Sequence, residues 1–236
     1  MANRIADISL RKAALIAGLA YLIDLVIAVT ADFWAPFVQR ADAATFASAV
    51  ANDLLFSIGM AGWVIVLVAD LVVAWALYIF LKPVNKSLSL LAALFRVVFV
   101  ALYGVSLLIF FLASQLSSGA DYLSVFGTDL LQAQVMLFLS VVDFGVVISF
   151  VFFGLHIFLI GYLILKSSYV PRLLGVVLIV AGIGYQIASF ANIVLPNFAH
   201  IETLGIITLL VPALISEVSL TLWLLLKGRK IPEIKL

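Results

Sequence analysis

The stretch LFLSVVDFGVVISFVFFGLHIFLIGYLILK, Leu137–Lys166, decides the fold. It holds Asp143 and His156 and no other acidic or imidazole side chain before the closing lysine. A water-facing helix cannot expose so much apolar surface, whereas a bilayer crossing needs about 20 apolar residues at about 1.5 Å rise each. The stretch therefore reads as a membrane span with a histidine in its middle.

Working outward on the same criterion, spans are expected at 13–31, 56–81, 88–113, 134–165, 172–194 and 203–226. Between them lie turn-forming breaks such as KPVNK (82–86), SSGAD (117–121), KSSYVPR (166–172) and LPNF (195–198). The expected fold is all-α: a six-span transmembrane helix bundle forming one domain over residues 1–236. The fourth segment is longer than a bilayer requires, which calls for tilt or for extension past the surface.

Composition agrees. Apolar residues make up 66% and charged residues 11% of the chain, with mean hydropathy +1.32. Ordinary globular domains run at about 45–50% apolar and about 25% charged. A net charge of +1 without a basic tract speaks against nucleic acid. The absence of cysteine excludes disulfides, thiolate nucleophiles and Cys-based metal sites. Arg4, Arg11 and Lys12 ahead of an apolar run imitate a signal peptide, but Asp24 and the length of the run favour a retained first span.

Basic residues set the expected orientation. Arg4, Arg11, Lys12, Lys82, Lys86, Lys166, Arg172, Lys227, Arg229, Lys230 and Lys235 fall on one side, and the opposite loops hold only Arg40. By the positive-inside rule both termini are cytoplasmic. Trp34 and Trp63 then belong near the outer interface and Trp223 near the inner one. In the outer loop 32–55, Asp42 with ATFASAVAN (44–52) suggests a short amphipathic helix capped by Asp42. No GxxxG pattern occurs, but Gly154/Gly161 and Gly175/Gly182, each seven apart, permit close helix contact along one face.

The histidine belongs to a layer. His156 precedes Lys166 by ten residues, roughly 15 Å of helix. Asp24 follows Lys12 by twelve, Asp70 precedes Lys82 by twelve, and Arg96 follows Lys86 by ten. Tyr185 follows Arg172 by thirteen and Glu217 precedes Lys227 by ten. Each span thus delivers one polar group to nearly the same depth. Asp143, about 34 Å from Lys166, lies outside this layer. Small residues share the polar faces: Ala17, Ala20, Ala28 and Ala31 with Asp24; Ser89, Ala92 and Tyr103 with Arg96; Gly145 and Ser149 with His156; Ala181, Ser189 and Asn192 with Tyr185. Those faces should point into the bundle.

The charges do not balance. A charged residue at a span centre costs about 2.5–3.5 kcal/mol on insertion scales and needs a partner. Asp24, Asp70 and Glu217 face Arg96 alone, with His156 able to carry one proton. Two pairings are expected: Arg96 with Asp70 across the 82–86 turn, and His156 with Glu217 as a proton-exchanging pair. Pro212 frees a backbone carbonyl as a further partner. Such a layer either fixes helix register, with no ligand involved, or binds and conducts.

LKPVNKSLSLLAALFR (81–96), FFGLHIFLIGYLILKSSYVPRLLGVVLIVAGIGY (152–185) and PALISEVSLTLWLLLKG (212–228) resemble the bacterial membrane family catalogued as domain of unknown function number 4386. The likeness covers nearly the whole chain and is most specific at FGLH and PRLLG. It implies a six-span protein of the bacterial inner membrane and carries no activity or functional residue with it. Members often have Ser-Gly where this chain has Ser167-Ser168.

Three functional classes remain open. An enzyme finds little support, since HExxH, a P-loop and a GxSG-like nucleophile are all absent, and Gly182-Ile183-Gly184 lies within a span. Hydrolysis would have to run on carboxylates. Two-histidine haem ligation is disfavoured because His200 belongs to the outer loop, so neither cofactor nor metal is expected. A binding or transport-type bundle for a proton, cation or small polar ligand fits the ionisable layer best. An accessory subunit of a larger membrane complex is the third reading. The lipid bilayer is the expected partner, with a homo-oligomer or larger complex open.

Overall fold

The computed structural model describes residues 8–35, 43–51, 53–195 and 211–231. All regular structure among them is helical: α1 (Leu10–Trp34), α2 (Ala43–Ala51), α3 (Asp53–Leu81), α4 (Lys86–Leu116), α5 (Thr128–Lys166), α6 (Arg172–Val194) and α7 (Val211–Leu226). Short 3-10 turns occupy Asp121–Leu123 and Gly228–Lys230.

Helix ends follow local chemistry. Ser9 caps α1, accepting from the Lys12 N–H at 3.4 Å. Pro83 cannot continue α3, and Asn85 opens α4 by accepting from the Leu88 N–H at 2.9 Å. Pro171 precedes α6, fixing φ ahead of its first turn. The expected span 172–194 matches α6, α1 and α4 run two or three residues beyond the expected limits at each end, and α3 starts three residues early but ends at Leu81 as expected. α5 starts six residues earlier than expected, at Thr128, giving 39 residues. Nothing between Gly127 and Lys166 breaks the helix, so it continues past the apolar core of the span.

Five helices (α1, α3, α4, α5 and α6) are long and apolar enough to cross a membrane, and α7 contributes a shorter apolar helix. The first eight residues of the expected sixth span, 203–210, lie outside the described residues. So does the carbonyl of residue 208, which Pro212 would free.

The long helices form a closed ring. α1 packs on α3, α3 on α4, α4 on α5, α5 on α6 and α6 on α7, and α7 closes back on α1. Short turns after α3 and α5 make the adjoining helices antiparallel neighbours. Outward faces carry large exposed apolar side chains such as Val68, Leu108, Leu173 and Ile187, the surface a lipid bilayer would cover.

Close approach is built from small residues. A Cβ at Gly161 would lie 2.7 Å from the Gly175 carbonyl oxygen, and one at Gly182 would lie 2.9 Å from the Gly154 carbonyl oxygen. The two seven-residue glycine pairs therefore face each other across the α5–α6 joint. Gly59 and Gly62 do the same on α3, against Ala35 and Ala31 of α1. The indole of Trp63 is buried and donates to the Ala35 carbonyl at 3.1 Å, beside the end of α1.

α2 exists as expected, though Asp42, its expected cap, lies outside the described residues. It is more than a surface helix. Phe46 is fully buried, edge-on to Phe56 and Phe110 with centroids at 6.3 and 5.3 Å, and plugs one end of the bundle. At the other end the Tyr169 hydroxyl donates to the Phe80 carbonyl at 2.7 Å, pinning the α5–α6 turn to the end of α3. Burial pushes the Tyr169 phenol up, so it remains a donor.

Candidate functional site

Each of the six ring helices carries one of the expected layer residues: Asp24 on α1, Asp70 on α3, Arg96 on α4, His156 on α5, Tyr185 on α6 and Glu217 on α7. The layer divides into a closed half and an open half.

Arg96 organises the closed half and is 0% exposed. Its Nε donates to Asp70 Oδ1 at 3.0 Å, and its Nη2 pairs with the same oxygen. This is the ion pair expected from their depth. Nη1 donates to the Tyr21 hydroxyl at 3.0 Å and reaches His156 Nε2 at 3.3 Å. The guanidinium carbon also lies over two aromatic rings, 4.9 Å from the Tyr21 ring centre and 5.1 Å from that of Phe153. Arg is a fork of donors with no acceptor, so it needs carboxylate, hydroxyl and unprotonated nitrogen around it, with aromatic faces supplying the rest. All are present.

His156 is also fully buried. Its Nδ1 is 2.8 Å from the Ala92 carbonyl oxygen. A carbonyl only accepts, so Nδ1 carries the hydrogen; Arg96 only donates, so Nε2 offers its lone pair. Only the neutral Nδ1–H tautomer satisfies both contacts. The expected His156–Glu217 pair is therefore not formed. α5 packs on α4 and α6, while α7 sits beyond α6, so equal depth does not make His156 and Glu217 neighbours.

Glu217 takes Tyr185 instead. The Tyr185 hydroxyl donates to Glu217 Oε1 at 3.2 Å. Its ring stacks on Phe150 (centroids 5.5 Å apart, planes at 6°) and stands edge-on to Phe153 at 5.1 Å, which fixes the direction of the hydroxyl. Asp24, Tyr185 and Glu217 are only partly buried, in contrast to Arg96, His156, Asp70 and Tyr21. Among the described residues no basic side chain forms a hydrogen bond or ion pair with Asp24 or Glu217.

Tyr21 is the member of the layer that depth counting passed over. It lies three residues before Asp24, on the same helical face among buried Ala14, Ala17 and Ala20. That spacing was the available signal. Of the other stripe residues, Ser89, Ala92, Tyr103, Ser149, Ala181 and Ser189 are buried, whereas Ala28, Gly145 and Asn192 are only partly buried. No buried side-chain nitrogen or oxygen among the described residues lacks a hydrogen-bond partner. Among the same residues no group of three or more metal-ligating side chains converges.

The fold and this interior define a class: an all-helical membrane bundle closed around a layer of ionisable and hydroxyl side chains. The chain belongs to the family described as Domain of unknown function (DUF4386), whose model matches residues 16–228. An uncharacterised protein of the archaeon Archaeoglobus fulgidus is 31% identical over 173 residues, covering 73% of this chain and 85% of the relative. No solved structure matches.

Proposed function

We propose that this membrane protein binds or passes a proton, a cation or a small polar ligand at the open half of its layer. Asp24 and Glu217 supply the carboxyl groups, and Tyr185 orients Glu217. The observation that carries this reading is the unequal sharing of the one guanidinium. Arg96 is committed to Asp70, Tyr21 and His156, which leaves two partly buried acids without a cationic partner among the described residues. Acids at this depth are costly to keep, and a bundle needing only fixed register has no use for a second and third carboxyl. The closed half is the scaffold and the open half is the site.

We further place the termini and the 82–86 and 166–172 turns in the cytoplasm, on the strength of their basic residues, and the protein in a bacterial inner membrane. Flux measurements on the full-length protein in liposomes test the function. With an imposed gradient of protons, Na⁺ or K⁺, vesicles containing the protein should dissipate at least one gradient faster than empty vesicles. Asp24→Asn and Glu217→Gln should each bring that rate back toward the empty-vesicle value. Parent-like rates in both variants, or silence of the parent toward all three ions together with a defined complex after mild-detergent extraction, would favour an accessory-subunit role instead.

A further inference from the structure

The same two turns that carry the basic residues enclose a second site, independent of the polar layer. A cavity of about 460 Å³ lies between the α3–α4 turn and the end of α5, with Asn85, Tyr162, Lys166 and Ser168 in its wall beside Pro83 and Tyr169. Its chemistry is one-sided. The Asn85 carboxamide oxygen is occupied by the Leu88 N–H, so its NH₂ is the end left to donate. Lys166 contributes an ammonium 5.7 Å from the Tyr162 ring centre, and Tyr162 and Ser168 contribute hydroxyls. Among the described residues no carboxylate lines the cavity.

Charge in the surrounding chain points the same way. The two turns carry Lys82, Lys86, Lys166 and Arg172, and the sequence holds no acidic residue between Asp70 and Asp121 or between Asp143 and Glu202. The turns also start α4 and α6, whose N-terminal ends favour anions. The loop is held in place by the Tyr169–Phe80 hydrogen bond, so the cavity is fixed by the fold. Basic pockets between membrane helices at the interface suit phosphate headgroups.

We propose that this cavity binds a phosphate group, with Lys166, Asn85 and Ser168 as its donors. The phosphate can come from an anionic lipid headgroup or from a dissolved phosphate, and the experiment separates these sources. Full-length protein in neutral detergent is titrated with phosphatidylglycerol or phosphatidylcholine, with adducts counted by native mass spectrometry. In parallel, inorganic phosphate is titrated against the melting temperature. Preference for phosphatidylglycerol assigns the lipid source, and stabilisation by inorganic phosphate alone assigns the dissolved one.

Lys166→Gln should weaken whichever binding is found by about fivefold, the effect of one lysine near an anionic headgroup. Asn85→Asp keeps the helix cap but replaces the NH₂ donors with a carboxylate, and should weaken it further. Lys12→Gln, at the same end of the bundle but outside the cavity, should leave binding unchanged. Absence of preference for either phosphate source, parent-like binding in both cavity variants, or an equal loss in Lys12→Gln would each overturn the proposal.

Discussion

Arg96 is the residue on which the interior depends, because a guanidinium cannot shed its charge and must be matched where it lies. Removing Asp70 leaves that charge buried and unpaired, so Asp70→Leu should cost about 3–5 kcal/mol, while Asp70→Leu with Arg96→Met should recover much of the loss. Melting of the four proteins in detergent, read as a double-mutant cycle, checks this; additive losses would show that the pair is not coupled. His156 gives a second test. In a His200→Gln background the remaining imidazole should show hydrogen on Nδ1 and none on Nε2 by nitrogen NMR at neutral pH, and hydrogen on both would contradict its contacts with Ala92 and Arg96. The Asp70–Arg96 pair was legible in the sequence because a short turn makes their helices neighbours at matched depth. The partners of His156 were not, since depth counted from basic anchors says how far a residue lies along its helix and nothing about which helices flank it. Tyr21 escaped because the depth count took one polar residue per span, and on α1 that residue was Asp24, three positions further on.

Among the elements, the α5–α6 joint rests on backbone contact at four glycines. Gly161→Ala should destabilise by about 1–3 kcal/mol, since its Cβ would meet the Gly175 carbonyl oxygen at 2.7 Å and backbone must shift to admit it. Gly104→Ala is the matched control on α4. A Cβ there meets only Leu67 at 3.5 Å, and replacing a mid-helix glycine should be neutral or stabilising by up to about 1 kcal/mol. Equal melting shifts in the two variants would mean that the glycine pairs do not set the joint. These pairs were visible as a seven-residue spacing, which is near two helical turns and keeps both glycines on one face. The length of α5 was less visible, because hydropathy marks where a helix is apolar and says little about where its hydrogen bonding ends. The burial of α2 was hidden for a related reason: Phe46 finds Phe56 and Phe110 only after α3 and α4 have been brought together.

At the scale of the whole molecule, the five long helices and the shorter α7 form a ring in which each packs on the next and α7 returns to α1. The start of α1 and the turn after α7 lie on one side, where the Arg11 side chain donates to the Ile231 carbonyl at 2.9 Å. Reporter fusions at Leu236 and at Asp42 should therefore report opposite compartments, and a shared compartment would undo the depth matching of the layer. The ring order also explains why one arginine serves three helices while two acids are left to the open side: α4 faces α1, α3 and α5 through Arg96, whereas Glu217 is held by α6. The central claim is this division of the layer into a satisfied half and an accessible half. Labelling the full-length protein in membranes with a lipid-soluble carbodiimide, then locating the modified carboxyls by peptide mass spectrometry, measures it acid by acid. Modification of Asp24 and Glu217 with Asp70 spared is the predicted result; modification of Asp70 equal to theirs, or none at Asp24 and Glu217, would contradict it.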